Sequence, residues 1–229
     1  LQNAGCSERM IFYFFRELNQ QGKSASDWLT AFALFAGTSF ILAWPIRHDH
    51  AVIATIGPST TLALLFLSQF LIFSRFWHDD VKSEYLEVLS TSPRHALERY
   101  ASGRLVAAIV TGLIYSLVTT SLGSILYALD WRSTLTLLLQ VFAVAPGITA
   151  LSILPAAATS RTTKASSAIG IVILLPMIAP FVILMGVYSE QTNYYDHLLV
   201  PSWFSLIGLS IAFVTMGVLS LPTILKAQL

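Results

Sequence analysis

The chain has 229 residues, of which 55% are hydrophobic and only 11% are charged. A soluble domain usually carries about 25% charged residues, so this composition and the mean hydropathy of +0.70 are typical of a membrane protein. The net charge of +1, without a basic cluster, gives no indication of a nucleic-acid partner. The single cysteine, Cys6, excludes an internal disulfide.

The N-terminal segment, residues 1–28, is predicted to lie at the cytoplasmic face. No short apolar region ends in a small-residue cleavage site, so no signal peptide is predicted. Met10–Leu18 mixes aromatic residues with Arg16 and Glu17, which indicates a short helix in the membrane interface; a frayed tail is the alternative. Both Leu1 and Met10 are candidates for the true start.

Six stretches are long and apolar enough to cross a bilayer, whose hydrocarbon core requires about 20 apolar residues in a helix. Helices are predicted because lipid offers no hydrogen-bond partner to an open backbone. None of the stretches contains an ionisable Asp, Glu, Lys, Arg or His side chain. The predicted spans are Leu29–Ile46, Ala51–Phe73, Leu105–Ala128, Ser133–Ala158, Ala165–Tyr188 and Pro201–Leu225.

The first two spans are joined by the polar turn Arg47–His50, which predicts an antiparallel hairpin. A single long helix is the alternative, but Pro45 and the four polar residues oppose it. His48 and His50 flank one Asp in this turn, so binding of haem or a metal is conceivable, and a solvated loop is the simpler interpretation.

Prolines interrupt several of the predicted spans, and each removes a backbone donor and kinks its helix. Pro176 and Pro180 stand four residues apart, which indicates a strongly bent or broken fifth span. Neighbouring helices can satisfy the carbonyls that such kinks release. Other prolines inside predicted spans are Pro58, Pro146, Pro155 and Pro222.

The distribution of Lys and Arg predicts the orientation. Eleven of these residues lie in the N-terminal segment, the loops after spans two and four, and the C-terminus, whereas only Arg47 and Arg132 lie on the other side. Cytoplasmic segments carry such an excess, so both termini and both basic loops are predicted to be cytoplasmic. Trp44, Trp131 and Trp203 fall near the predicted outer ends of spans, as an aromatic belt would.

The sequence offers no chemistry of its own. Ion-coupled transporters keep ionisable residues within their spans, and these spans have none. The phosphate-binding Gly-x-x-x-x-Gly-Lys-Ser/Thr, the His-Glu-x-x-His motif and the Gly-x-Ser-x-Gly motif are all absent. The chain is therefore predicted not to be an enzyme, and active transport would need another subunit as the energy source.

The loop Ser74–Arg104 holds 10 of the 25 charged residues of the chain, more than any other segment between predicted spans. Val81, Tyr85, Leu86 and Leu89 fall on one helical face, acidic residues cover the rest, and Pro93 is predicted to end the helix. Such an amphipathic helix at the cytoplasmic face can dock into a groove of a partner; lying on the headgroups is the alternative. The predicted coupling residues are Asp79, Asp80, Leu86, Glu87 and Leu89.

This loop resembles the cytoplasmic motif of haem exporter protein B of cytochrome c maturation (CcmB) and, more loosely, of type-2 ABC exporter permeases. The resemblance runs from about Met10 to the C-terminus. The family usually has glycine and a small hydroxyl residue where Glu84 and Tyr85 stand, and often His-Trp at Ala107 and Ala108. The matching motifs are Ile56-Gly57-Pro58, Arg75, Asp79-Asp80, Leu86-Glu87 with Leu89 and Pro93, Val110-Thr111-Gly112-Leu113, Lys164, and the double-proline stretch Leu175–Pro180.

The resemblance implies an all-α, six-span permease domain over residues 1–229, with 74–104 as the cytoplasmic coupling loop. It implies a separate ABC ATPase that binds the ATP, a homodimer over two ATPases, and further cytochrome c maturation subunits in the membrane. The implied task is delivery of haem, as cargo rather than cofactor, or release of a haem-loaded chaperone. The alternatives are a type-2 permease for another substrate and a non-transporting scaffold of the maturation complex. The implied location is a bacterial inner membrane, or a mitochondrial inner membrane.

The predicted orientation can be tested with reporter tags. Tags at Ser92 and at the C-terminus should report the cytoplasm, and a tag at Asn193 should report the outside, because the Lys and Arg excess fixes the loops. Alkaline phosphatase and fluorescent-protein fusions measure the two sides independently. A cytoplasmic tag at Asn193 would contradict six spans.

Overall fold

The computed structural model describes residues 25–46, 48–73, 76–77, 80, 85–91, 96–158, 179 and 199–227. These residues contain six helices and no strand: α1 (Ala25–Ile46), α2 (His50–Phe73), α3 (Tyr85–Thr91), α4 (Ala96–Leu126), α5 (Trp131–Ala158) and α6 (Leu199–Ala227). Five of them, all but α3, are long and apolar enough to cross a membrane. The prediction of an all-α polytopic membrane protein is confirmed. The predicted fifth span lies outside the described residues except for Ala179, and so does the predicted interfacial helix at Met10–Leu18.

Helix α4 differs most from its prediction. It begins at Ala96 rather than Leu105, so Arg99 and Arg104 belong to the helix and not to the loop. At 1.5 Å per residue its 31 residues are about 46 Å long, which exceeds the hydrocarbon core of about 30 Å. The uncharged stretch of the sequence marks only the part of α4 that is needed to cross a bilayer. The first turns of α4 carry charged residues and extend the helix beyond that part.

Helices α1 and α2 pack against each other across a short turn. The Asp49 N–H donates to the Ile46 carbonyl at 2.9 Å, and Asp49 Oδ1 accepts from the Val52 N–H at 3.2 Å. The Asp49 side chain therefore caps the first turn of α2, where backbone donors lack helical partners.

The turn between α4 and α5 satisfies both helix ends. Ala128 has a φ of 47°, and the Leu129 N–H donates to the Ser124 carbonyl at 3.0 Å, as in a Schellman C-cap. Asp130 Oδ2 accepts from the Arg132 N–H at 3.2 Å. The hydrogen bond from Ser133 is the main cause that lowers the pKa of Asp130. The cap is thus present above the ordinary carboxyl pKa and is lost as the pH falls through the lowered value.

Helix α5 lies at the centre of the bundle, with α2, α4 and α6 packed around it. Ile148 and Leu151 are buried with Leu62 and Leu65 of α2 in one apolar core. Next to Pro146, the Gly147 N–H donates to Ser210 Oγ of α6 at 3.0 Å. Apolar packing and this hydrogen bond together hold α6 against α5.

A buried amide joins α2, α4 and α5. Gln69 Nε2 donates to the Gly112 carbonyl at 2.9 Å and to Ser116 Oγ at 2.5 Å. Thr149 Oγ1 donates mainly to the Ala145 carbonyl at 2.9 Å and makes a second, long contact of 3.5 Å with Gln69 Oε1. Because lipid cannot satisfy an amide, these contacts fix the three helices against one another. We call Gln69, Gly112, Ser116 and Thr149 the Gln69 node.

Gly112 permits the close approach of α4 and α5 at this node, and its substitution gives a test of the packing. A Cβ there would overlap Thr149 Oγ1 and lie 3.2 Å from Thr149 Cγ2. Gly112→Ala should lower the free energy of unfolding by about 1–3 kcal/mol, the usual range for overpacking. Denaturant titration of the protein in detergent micelles measures the change. Gly208→Ala is the control, since no atom lies within 4 Å of its Cβ position. Equal stabilities of the two variants would contradict this packing.

Candidate functional site

The short helix α3 packs against the N-terminal part of α4. Its seven residues are too few for a stable isolated helix, which needs about 12–15 residues. Leu86 is completely buried and Leu89 is 7% exposed, in a core shared with Leu97 and Tyr100 of α4. Tertiary packing of these two leucines therefore holds α3 in place.

The opposite side of α3 faces outward. Glu87 is exposed, and Val88 exposes 62% of its surface. In the last turn, Thr91 Oγ1 donates to the Val88 carbonyl at 3.0 Å, and the helix ends there, two residues before Pro93. The result is a fixed helical turn that presents one carboxylate and one apolar side chain.

A buried ion pair stands beside this helix. Asp80 is 3% exposed and Arg104 of α4 is 4% exposed, and the Arg104 guanidinium pairs with Asp80 Oδ2. Tyr100 Oη donates to the same Asp80 oxygen at 2.6 Å and accepts from Arg104 Nη1 at 3.1 Å. Tyr100 and Arg104 are one helical turn apart, so both reach Asp80 from the same face of α4. We call Asp80, Tyr100 and Arg104 the Asp80 cluster.

Arg104 also binds the segment that follows α2. Its Nη2 donates to the Phe76 carbonyl at 2.8 Å. Its guanidinium carbon lies 4.3 Å from the Phe76 ring centroid and 4.8 Å from the centroid of the fully buried Trp77, distances typical of cation–π contacts. One side chain of α4 thus joins the end of α2, the residue Asp80 and its own helix.

The energetics of this cluster are those of a buried charge pair. Such a pair repays its desolvation only with good geometry and further hydrogen bonds, which Tyr100 and the Phe76 carbonyl supply here. Removal of one partner from a buried pair typically costs about 3–5 kcal/mol, because the other charge is left uncompensated. The path of the chain from α2 toward α3 is therefore firmly fixed at Asp80.

The structure separates the predicted coupling residues into two groups. Asp80, Leu86 and Leu89 are directed into the protein, and Glu87 is directed outward. Asp79 lies outside the described residues. Sequence reasoning had assigned Arg104 to a loop and had not considered Tyr100. A spacing of four residues between Tyr and Arg, at the start of an apolar run, was the available signal.

No group of three or more His, Cys, Asp or Glu that could hold a metal ion occurs among the described residues. His48 is exposed in the turn between α1 and α2. The suggestion of a metal or haem site at His48 and His50 therefore gains no third ligand from this part of the chain.

Five apolar helices long enough to cross a membrane, with the short helix α3 packed against the first turns of α4, define a polytopic α-helical membrane protein. The chain belongs to the CcmB protein family, whose family model matches residues 9–227. The family supplies a membrane permease subunit of the ABC transporter system of cytochrome c maturation, and the predicted resemblance is confirmed. Comparison with curated proteins gives no match.

Proposed function

We propose that this chain is the permease subunit of an ABC-type complex that exports haem or releases a haem-loaded chaperone during cytochrome c maturation. In this complex α3 is the element that a separate ATPase moves. The observation that supports this role is the division of α3 into an inward face, Leu86 and Leu89, and an outward face, Glu87 and Val88. The complex lies in a bacterial inner membrane with α3 in the cytoplasm, and two copies of the chain pair over two ATPases.

A coupling element has to be rigid and accessible at once. If α3 were loosely attached, motion of the ATPase would deform it instead of moving the spans. Burial of both leucines, together with the fixed position of Asp80, supplies the rigidity. Exposure of the next residues, Glu87 and Val88, supplies the contact surface.

The outward face determines the chemistry of the partner. The Glu87 carboxylate suits an Arg or Lys of the ATPase, and Val88 suits a small apolar pocket beside that cation. Interfaces commonly combine such a desolvated charge pair with an apolar anchor. The chain has no phosphate-binding loop, so ATP binds and is hydrolysed on the partner.

Glu87→Ala tests the docking role directly. The variant should bind the ATPase at least about 30-fold more weakly, since truncation of one partner of a desolvated charge pair costs about 2–5 kcal/mol. Leu86→Asp should also weaken binding, because it removes the packing that holds α3. The measurement is co-purification of the ATPase at matched membrane abundance, together with the yield of mature cytochrome c.

Glu98→Ala is the matched control, since Glu98 is an exposed glutamate in the first turn of α4 and lies outside α3. It should change ATPase binding by about twofold at most, as an exposed charge contributes roughly 0.5 kcal/mol or less. Wild-type association and maturation in both Glu87→Ala and Leu86→Asp would show that α3 does not couple the two subunits. Unchanged ATPase association with a loss of maturation in Glu87→Ala would favour a scaffold function over coupling.

A further inference from the structure

We infer that Arg104 is a positioning residue that transmits displacement of α3 into the transmembrane helices, acting through Asp80 and Tyr100. This inference rests on the proposed function, because it assumes that an ATPase moves α3. It assigns different tasks to Asp80 and Glu87, which sequence reasoning had grouped together as coupling residues. Glu87 and Val88 bind the partner, and the Asp80 cluster passes the motion on.

Burial shows that the cluster acts inside the protein. Asp80 and Arg104 each expose less than a twentieth of their surface, so neither side chain is accessible to an ATPase. Their contacts instead join the segment between α2 and α3 to α4. A displacement of that segment therefore pulls on Arg104 and moves the first turns of α4.

The guanidinium group is suited to a rigid connection. Arg104 uses Nη1 for Tyr100, Nη2 for the Phe76 carbonyl and its flat face for the rings of Phe76 and Trp77. These contacts fix both the position and the plane of the group, which a rotating ammonium cannot reproduce. Arg104→Lys keeps the charge and removes this geometry.

The route continues along α4. Gly112 lies eight residues after Arg104, about 12 Å along the helix axis, and belongs to the Gln69 node. That node ties α4 to α2 and α5 by hydrogen bonds within the buried interior. A shift of α4 at Arg104 thus reaches two further spans through a continuous helix and a defined set of polar contacts.

Stability alone does not explain the ion pair. Replacement of a buried pair by apolar residues of similar volume is often neutral or stabilising, whereas loss of one partner is damaging. The double variant Asp80→Leu/Arg104→Met therefore provides a chain that packs without the charges. If the charges serve only to hold the fold, this variant should work normally; if they serve transmission, it should fold and bind but not function.

The experiment compares this double variant with wild type in the complete complex with its ATPase. We expect membrane abundance and ATPase association within twofold of wild type and at least a tenfold loss of mature cytochrome c. The rate of ATP hydrolysis by the complex should no longer respond to the haem-loaded chaperone. A normal cytochrome yield would overturn the inference, and so would loss of ATPase association at matched abundance, since the cluster would then only hold the docking surface.

Two milder variants decide the question if the double variant does not accumulate. Tyr100→Phe removes the hydroxyl that bridges Asp80 and Arg104 while the ring stays packed, and Arg104→Lys retains the charge. Each should lower the cytochrome yield at least threefold with unchanged ATPase association, and wild-type yields in both would overturn the inference. Glu87→Ala reports separately on the proposed function, because its expected loss is in association and not in transmission.

Discussion

The ion pair between Asp80 and Arg104 is the interaction on which the end of the bundle that carries α3 depends. Two opposite charges with almost no solvent contact are tolerated only while they remain paired and hydrogen-bonded. The pair therefore fixes the chain at Asp80 against α4, and the burial of Leu86 and Leu89 fixes the position of α3. The seven residues of α3 have too little helical stability of their own to choose that position.

Between the long helices, buried polar groups must also be paired, but there they carry no charge. Apolar side chains gain little from association in lipid, so close packing and hydrogen bonds hold the helices together. Gln69 supplies the hydrogen bonds between α2, α4 and α5. Gly123 supplies close packing, because a Cβ at this position would lie 2.9 Å from Thr61 Cγ2. The chain thus uses a buried ion pair at the end of the bundle that carries α3 and neutral polar groups between the long helices.

Sequence reasoning found what depends on local composition. The length of the apolar stretches predicted the five spans that the structure describes. The helical spacing of apolar residues among acidic ones predicted the helix observed as α3. It also distinguished Glu87 from the leucines beside it. It missed Arg104, because a charged residue was taken as the end of an apolar stretch. The ion pair with Asp80 is what allows Arg104 to be buried within α4. The Gln69 node was equally hidden, since its hydrogen bonds join residues 43 to 80 positions apart and leave no periodic signal.

The hydrogen bond between Gly147 and Ser210 has a consequence for biogenesis. The donor follows Pro146 in α5, and its acceptor comes 63 residues later in α6. A ribosome therefore delivers α5 to the bilayer well before that acceptor exists. Until α6 is synthesised, α5 lacks this hydrogen bond, and the two helices reach their final packing only after α6 arrives.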